Sequence, residues 1–545
     1  MMGAGIIHPA RKKTAILQIA PETGRLTRNM GPLAAYISGK SGGMGDVVAA
    51  LCEGLTSRGI ECHLATLNLS RRFQQENQVN EDQWHKITNT IDPDRIHLVN
   101  SAVFNGLSDA YSGDPIVNAA EFQKTVVNEI IPRVRATNGG RVIIHSHDWM
   151  AGGIVTAYAK RSGCPVLHTF HNSHTGHIPL EYLFGIDIAR LSDYLYRSVD
   201  QGKQTIDCHA SAIKNASLVN FVGARFLREV IDGHFANQPI IPPSIRQEVT
   251  IKHHFGSTRV IQNAPSREMY PERSEHLVRK YGPEDDVLAA KRENLVEFQK
   301  RTGLIVNPDA ILLYWPSRLD SSQKGIELLE AIAHRFVIAH EDTQIAIVGN
   351  GVGTDRNHEE ICGRIACASD GKITYQRFNE SLSMLGFAAA SDVFGASLYE
   401  PCGQIDQVGN LFGATATNRD TGGYHDKIRE LALENNGTGQ DSGNGFLFRD
   451  YDAEGLWYGL NRTIQFHRLA LSIRERQIKR IMRETRQKYD LEKMINQYVD
   501  LYETLNNGSQ LGTAETPRNS IPDLDDSALG KWVQFAWGWN AVGHA

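Results

Sequence analysis

Residues 140–172 read GRVIIHSHDWMAGGIVTAYAKRSGCPVLHTFHN. A β-branched apolar run ends in His147 and Asp148. A helical stretch, 150–163, follows. A second β-rich run, 165–172, ends in His171 and Asn172. Strand, polar tip, helix, strand is the repeating unit of a parallel α/β sheet. The rhythm extends to both sides. TAILQIA (14–20) reads as a buried strand, MGDVVAALCEGLTSRG (44–59) as a helix closing near Gly59, and IECHLATL (60–67) as the next strand. ASLVNFVG (216–223) is another strand, with a helix through 225–231 after it.

The pattern breaks at QPIIPPSIRQE (238–248) and at VIQNAPSREMYPERS (260–274), both proline-rich. It then restarts. AILLYWPSRL (310–319) is a strand with a polar tip, and KGIELLEAIAHRFVI (324–338) an amphipathic helix. TQIAIVGNG (343–351), ITYQRF (373–378), SDVFGASLYEP (391–401) and GATATNRDTGG (413–423) continue the series. Two consecutive α/β units with a cleft between them are predicted, with ligands at the carboxyl ends of the strands. The expected divisions are 1–262, 263–488, a helix at 489–507 and a linker with an aromatic tail at 508–545. That tail holds three of the seven tryptophans and reads as a segment docking aromatic surface onto this chain or a neighbour.

The 545-residue chain is 41% hydrophobic and 22% charged, with a net charge of −5. No basic domain stands out, so a nucleic-acid partner is not expected. The basic tract 473–487 carries apolar residues at helical spacing and reads as a solvated helix face. The seven cysteines form no CxxC motif, which suits a reducing cytoplasm better than a disulfide framework. No apolar run has the ~20 residues of a membrane span, and no secretory leader is recognisable at the N-terminus.

Chemistry is concentrated at the strand tips. KSGGMGDVV (40–48) sets Lys40 beside Gly42 and Gly43 at a helix start, where bare N–H groups suit an anion. Asp46 would cap or orient that first turn. Arg318 and Lys324, six residues apart in a strand-to-helix loop, would converge on one phosphate, unless they are merely solvated. Thr421, Gly422 and Gly423 would present further N–H groups. Glu400 would hold sugar hydroxyls, or be an ordinary loop carboxylate. Such a set of cations and N–H donors suits a leaving diphosphate, whose growing charge must be stabilised. Cys402 has no dedicated base beside it and reads as a structural thiol rather than a nucleophile. HSHD (145–148) has no further ligand cluster to make a metal site.

Taken in order, these motifs resemble the bacterial glycogen synthase and plant starch synthase family. KSGGMGDVVAAL looks like that family's Lys–x–Gly–Gly–Leu–Gly–Asp–Val signature, with Met44 in place of the leucine. HSHDW, TFHN, SRLDSSQKG, SLYEPCG and the TGG loop follow in family order, from about residue 14 to 505. The resemblance implies a GT-B fold, with two Rossmann-like parallel-sheet domains facing a central cleft and the last helix returning to the first domain. It implies a retaining transfer of glucose from ADP-glucose or UDP-glucose to the non-reducing end of an α-1,4-glucan. No metal or organic cofactor is then required, and the leaving phosphate accepts the acceptor's proton at the front face.

The same resemblance assigns roles. Lys40, Gly42 and Gly43 would contact the diphosphate, and Arg318 and Lys324 would neutralise it. Glu400, Cys402 and Gly403 would hold the glucose, with Asn263 nearby. His171 would sit at the sugar, and Asp148 would bind sugar or acceptor hydroxyls. Phe378 would stack on the base, or be a core residue at a strand end. Two departures bear on donor and acceptor choice. Gln404–Ile405–Asp406 replaces the usual Leu–Thr–Gln, with Asp406 bringing negative charge where an anion should bind unless it holds ribose hydroxyls. Asn263–Ala264–Pro265–Ser266 replaces Asn–Gly–Ile–Asp. The alternatives are a retaining GT-B enzyme with another acceptor, and a weakened glucan-binding regulatory protein. Retention of Lys40, His171, Arg318, Lys324 and Glu400 argues against the second.

Overall fold

The computed structural model describes residues 14–507, apart from 92–94, 201, 236–239, 321, 352–356 and 434–441. The linker and tryptophan-rich tail expected at 508–545 lie outside the described residues. The chain folds as two compact units. Among the described residues, the first comprises those up to Asn220, those within Phe235–Arg259 and those from Ile495; the second comprises those within Phe221–His234 and Val260–Met494. Single cuts at 262 and 489 therefore simplify the organisation, because Phe221–His234 belongs to the second unit and the last helix changes unit at 494–495.

The first unit is built on strands β1 (Ala15–Ile19), β2 (Cys62–Leu67), β3 (Ile96–Val99), β4 (Val142–His147) and β5 (Val166–Phe170). A small antiparallel sheet of β6 (His177–Pro179), β7 (Arg197–Asp200) and β8 (Lys203–Asp207) is inserted before β9 (Leu218–Phe221) and β10 (Thr258–Val260). The large sheet has the order β10-β9-β5-β4-β1-β2-β3. β1 pairs in parallel with β2 and with β4, Ile16 opposite Cys62 and Ala15 opposite Val142. Every residue of β1 is buried, which is why it reads as an apolar run rather than an alternating one. The exception in that run is Gln18, also fully buried.

Helix Gly43–Ser57 buries Met44, Val47, Val48, Leu51, Cys52 and Leu55 along one stripe. It ends one residue before the predicted cap. Arg58 is the C-cap, and Gly59 follows at φ 70°. The N–H groups of Gly59 and Ile60 donate to the carbonyls of Thr56 and Leu55, the doubled closure that a left-handed glycine permits. The C-terminal part of helix Leu491–Leu505 is built into this same unit. Ile495 lies so close that a Cβ on Gly54 would stand 2.2 Å from its Cδ1. Tyr498 and Tyr502 are fully buried, Tyr498 accepting from the Asn220 amide at 3.0 Å.

The second unit carries β11 (Ile311–Pro316), β12 (Thr343–Val348), β13 (Ile373–Gln376), β14 (Asp392–Gly395), β15 (Thr415–Arg419) and β16 (Gly445–Phe448). They form one parallel sheet, β13-β12-β11-β14-β15-β16. Leu312 and Tyr314 of β11 join the core on one face, and Ile311, Leu313 and Trp315 that on the other. Both faces are covered, as parallel sheets require. In each sheet the strand order reverses direction at one place, between β1 and β4 in the first and between β11 and β14 in the second. The crevice at the carboxyl ends of such a strand pair is where open α/β sheets bind ligands.

Candidate functional site

In the first unit the residues at that crevice come from the ends of β1, β4 and β5. Asp148 directly follows β4 and has φ 54°, ψ −172°. A side chain in this region costs about 1–3 kcal/mol and persists only where its surroundings hold it. Here the Asp148 carboxylate accepts from the backbone N–H groups of His171 (2.7 Å) and Asn172 (3.1 Å). Asp148 thus shapes the turn that carries His171, a structural task beside the hydroxyl-binding role expected of it.

His171 is reached by a line of buried polar groups. Its Nε2 lies 3.0 Å from Nδ1 of His147, whose Nε2 lies 2.8 Å from Oε1 of Gln18. The Gln18 amide nitrogen donates to the Tyr502 hydroxyl at 2.9 Å, which lies 2.7 Å from Nδ1 of His145. His145 Nε2 meets the Thr169 hydroxyl at 2.8 Å. Burial, reinforced by neighbouring histidines, pushes His145 and His147 well below the ordinary imidazole value and His171 down to about 3, so all three are neutral near pH 7.

The KSGGMGD turn is organised by two carboxylates. Lys40 Nζ contacts both Asp46 oxygens at 3.0 Å. Asp46 is therefore the lysine's partner and makes no side-chain cap; the N-cap residue is Gly42. Glu22, almost fully buried, accepts from the N–H groups of Ser41 and of Gly42, the latter at 3.1 Å. Gly43 begins the helix. The anion-binding turn expected from sequence thus holds an anion of the chain's own, one that no local motif announces.

In the second unit, Arg318 and Lys324 follow β11, and Glu400 follows β14, the adjacent strand. Lys324 Nζ donates to Glu400 Oε2 at 2.6 Å, and the Ser397 hydroxyl donates to the same oxygen at 3.0 Å. Burial pushes the Glu400 carboxyl up, but the charge and hydrogen bond of Lys324, the Ser397 hydroxyl and the charge of Lys427 outweigh it and hold Glu400 below its ordinary value. Glu400 is therefore an ionised, nearly buried acceptor. Arg318 is exposed and makes no ion pair among the described residues.

The TGG loop departs from expectation. Gly423 N–H donates to the Glu400 carbonyl at 2.8 Å, and Gly422 N–H donates to the Glu229 carboxylate at 3.1 Å. Thr421 also donates to Glu229, from 3.3 Å. These donors are occupied within the unit. The glycines serve close packing: a Cβ on Gly422, itself at φ 43°, would stand 1.9 Å from the Glu400 carbonyl oxygen, and one on Gly423 1.8 Å from that of Cys402. Helix Ala224–Asp232 and helix Gly422–Lys427 are tied reciprocally, since Asp426 in turn accepts from Arg225 N–H at 3.1 Å.

Cys402, Gly403, Asn263 and Asp406 fall around the same turn, and Phe378 lies just past the end of β13. Gly403 adopts φ 64° against the Tyr424 ring. Burial pushes the Cys402 thiol up to about 11, against the charge of Lys427, so it is no thiolate nucleophile. Asn263 is buried, its carbonyl accepting from Gln407 at 3.0 Å. Phe378 is 52% exposed, so it is not the core residue that one reading allowed. Asp406 neither faces solvent nor stands alone. Its carboxylate accepts from Lys427 Nζ at 2.8 Å, and burial raises it to about 6 against the pull of that lysine.

Comparison with known proteins finds similarity to glycogen and starch synthases. Residues 33–239 match the model of the starch synthase catalytic domain. A glycogen synthase of Exiguobacterium sibiricum is 27% identical over 468 residues, covering 78% of this chain and 89% of that one. A glycogen synthase of Geobacillus stearothermophilus is 30% identical over 219 residues, 39% of this chain and 41% of its own. Among solved structures, the catalytic domain of starch synthase IV from Arabidopsis thaliana, bound to ADP and acarbose, superposes with a TM-score of 0.71 at 19% identity. The match covers 91% of this chain and all of that one.

Proposed function

We propose that this chain, which has the GT-B fold and is similar to glycogen and starch synthases, extends an α-1,4-glucan, transferring glucose from a nucleotide-glucose donor with retention of configuration. The carrying observation is the Lys324–Glu400 pair at the β11/β14 crossover. One residue of the pair is an ionised acceptor able to hold glucose hydroxyls. The other is a cation placed to offset charge on a departing phosphate. Arg318, exposed on the same loop and uncommitted among the described residues, would supply the second positive charge.

Lys40, Gly42 and Gly43 are proposed as further diphosphate contacts, with Lys40 exchanging its Asp46 partner, and Gly42 its Glu22 partner, for the ligand. His171 and Asn263 are assigned to the glucose, Phe378 to the base, and Cys402 and Gly403 to the sugar through their backbone. The arrangement needs neither a metal nor an organic cofactor. That the related starch synthase IV structure holds ADP and acarbose supports a nucleotide-sugar donor and a glucan acceptor. None of the seven cysteines is paired, which supports action in the reducing cytoplasm.

The test is incubation of the full chain with radiolabelled ADP-glucose or UDP-glucose and glycogen. Label should enter polymer, be released by an α-1,4-specific amylase, and depend on one nucleotide more than the other. No incorporation from either donor would remove this reading.

A further inference from the structure

We propose that the Gln18 amide fixes which ring nitrogen of His171 carries the proton, acting through His147 and itself oriented by Tyr502 of the C-terminal helix. The assignment follows from counting donors. Gln18 Oε1 has no hydrogen, so His147 Nε2, 2.8 Å away, is the donor to it. A neutral imidazole carries one N–H, so His147 Nδ1 is bare and accepts. His171 Nε2, at 3.0 Å, must then carry its proton, which leaves His171 Nδ1 as a bare acceptor. At the other end of the amide, Gln18 Nε2 donates to Tyr502. The Tyr502 hydroxyl donates in turn to His145 Nδ1, and His145 Nε2–H donates to Thr169. Every group in the line gives one bond and takes one, except at its ends.

Geometry makes the line tight. Gln18, His145, His147 and Tyr502 are all fully buried, so water does not substitute for a missing partner. The rings of His147 and His171 lie nearly parallel, 5.3 Å apart and inclined by 24°. Reversing the Gln18 amide would reverse every donor in the line together and move the His171 proton to Nδ1. The direction of one amide therefore decides whether His171 offers the crevice an acceptor or a donor. Gln18, His147 and Tyr502 are positioning residues, since none of them is assigned to substrate. A bare Nδ1 suits a sugar hydroxyl as its donor, and this part of the inference rests on the reading of His171 as a glucose contact.

Selective nitrogen-15 labelling of histidine rings in the full-length chain tests the relay. The His171 signals are identified by their loss in His171→Gln. The wild type should show His171 protonated on Nε2 alone. Gln18→Met, which keeps volume but removes both ends of the amide, should leave His171 divided between the two protonation forms. Tyr502→Phe removes one oxygen from a ring that stays packed, and should shift His171 in the same direction even if Gln18→Met fails to fold. In glucosyl transfer both variants should lose about tenfold in kcat with KM for the donor little changed. A wild-type proton on Nδ1, or a His171 pattern unmoved in the folded variants, overturns the relay. The nitrogen spectrum does not require turnover, so a failure of the relay and a failure of the transferase reading are told apart.

Discussion

Lys427 and Asp406 form an ion pair of 2.8 Å in which each side chain is only 1% exposed. A pair so deeply buried is weak evidence of stability gained, but breaking it leaves one uncompensated charge. Lys427→Met or Asp406→Asn alone should therefore destabilise the second unit by about 3–5 kcal/mol. The double variant should cost clearly less than the sum, as read by urea unfolding. Additive losses would show that the two residues do not act as a pair.

Lys324 holds Glu400 ionised and is the proposed cation for the leaving phosphate. Lys324→Ala should lower turnover by about 10²–10³-fold, a loss of the size seen when a preorganised transition-state donor is removed. The Glu400 carboxyl should also rise, since burial is then opposed only by Ser397 and Lys427. Steady-state kinetics check the first point and carboxyl titration by NMR the second. Unchanged turnover would detach Lys324 from the chemistry.

Glu229 stands in for an external anion at Thr421 and Gly422. Glu229→Ala strands a buried N–H group, which costs about 1–3 kcal/mol. The loss should appear in the unfolding midpoint of the purified chain. No change would mean that water or another group takes over the donor.

Gly423→Ala should be worse than a helix propensity scale suggests, because the added methyl meets the Cys402 carbonyl at 1.8 Å. Both the EPCG turn and the TGG loop would have to separate. A stability drop of about 2 kcal/mol or more, with donor binding weakened in parallel, is expected.

The buried histidines of the first unit make it acid-sensitive. Burial drives His171 to about 3 and His209 to about 4, from an ordinary 6.5. Between those values the unfolded chain binds protons that the folded chain refuses. Stability is thus complete above pH 6.5 and falls as pH drops toward 4, by up to about 1.4 kcal/mol per pH unit for each such group. His209→Asn should flatten the slope, because asparagine takes up no proton in this range, while its amide can still donate to the His174 carbonyl that His209 now contacts at 2.9 Å. Urea midpoints measured from pH 7 to 4.5 decide it.

Sequence periodicity places ten of the thirteen strands of the two large sheets, because strands buried on both faces are apolar runs with polar tips; the short strands β3, β10 and β16 escape it. It also places Arg318, Lys324 and Glu400 in loops at strand ends of the second unit, while the pairing of β11 with β14 that brings them together is seen only in the fold. What it misses are partners distant in the chain. Gln18 is a lone amide in an apolar strand, and its partner Tyr502 is 484 residues away. Glu22 and Glu229 sit in unremarkable loop and helix positions, yet they neutralise N–H groups that glycine motifs appear to leave open. Asp406 reads as a misplaced charge only while Lys427, 21 residues further on, is not known to face it. Burial inverts the meaning of such residues, and burial is a property of the fold.

The first unit is assembled from stretches that flank the second unit in the chain, and this sets an order of events during synthesis. β1 is synthesised before the second unit, while Ile495, Tyr498 and Tyr502 are synthesised after it. At about 5–20 residues per second, Gln18 waits roughly 25–100 s for its tyrosine. The second unit, contiguous from Val260 to Met494 apart from one earlier segment, has emerged by then. A chain stopped short of residue 502 would lack the side chains that close the first sheet, so the unit begun first is finished last.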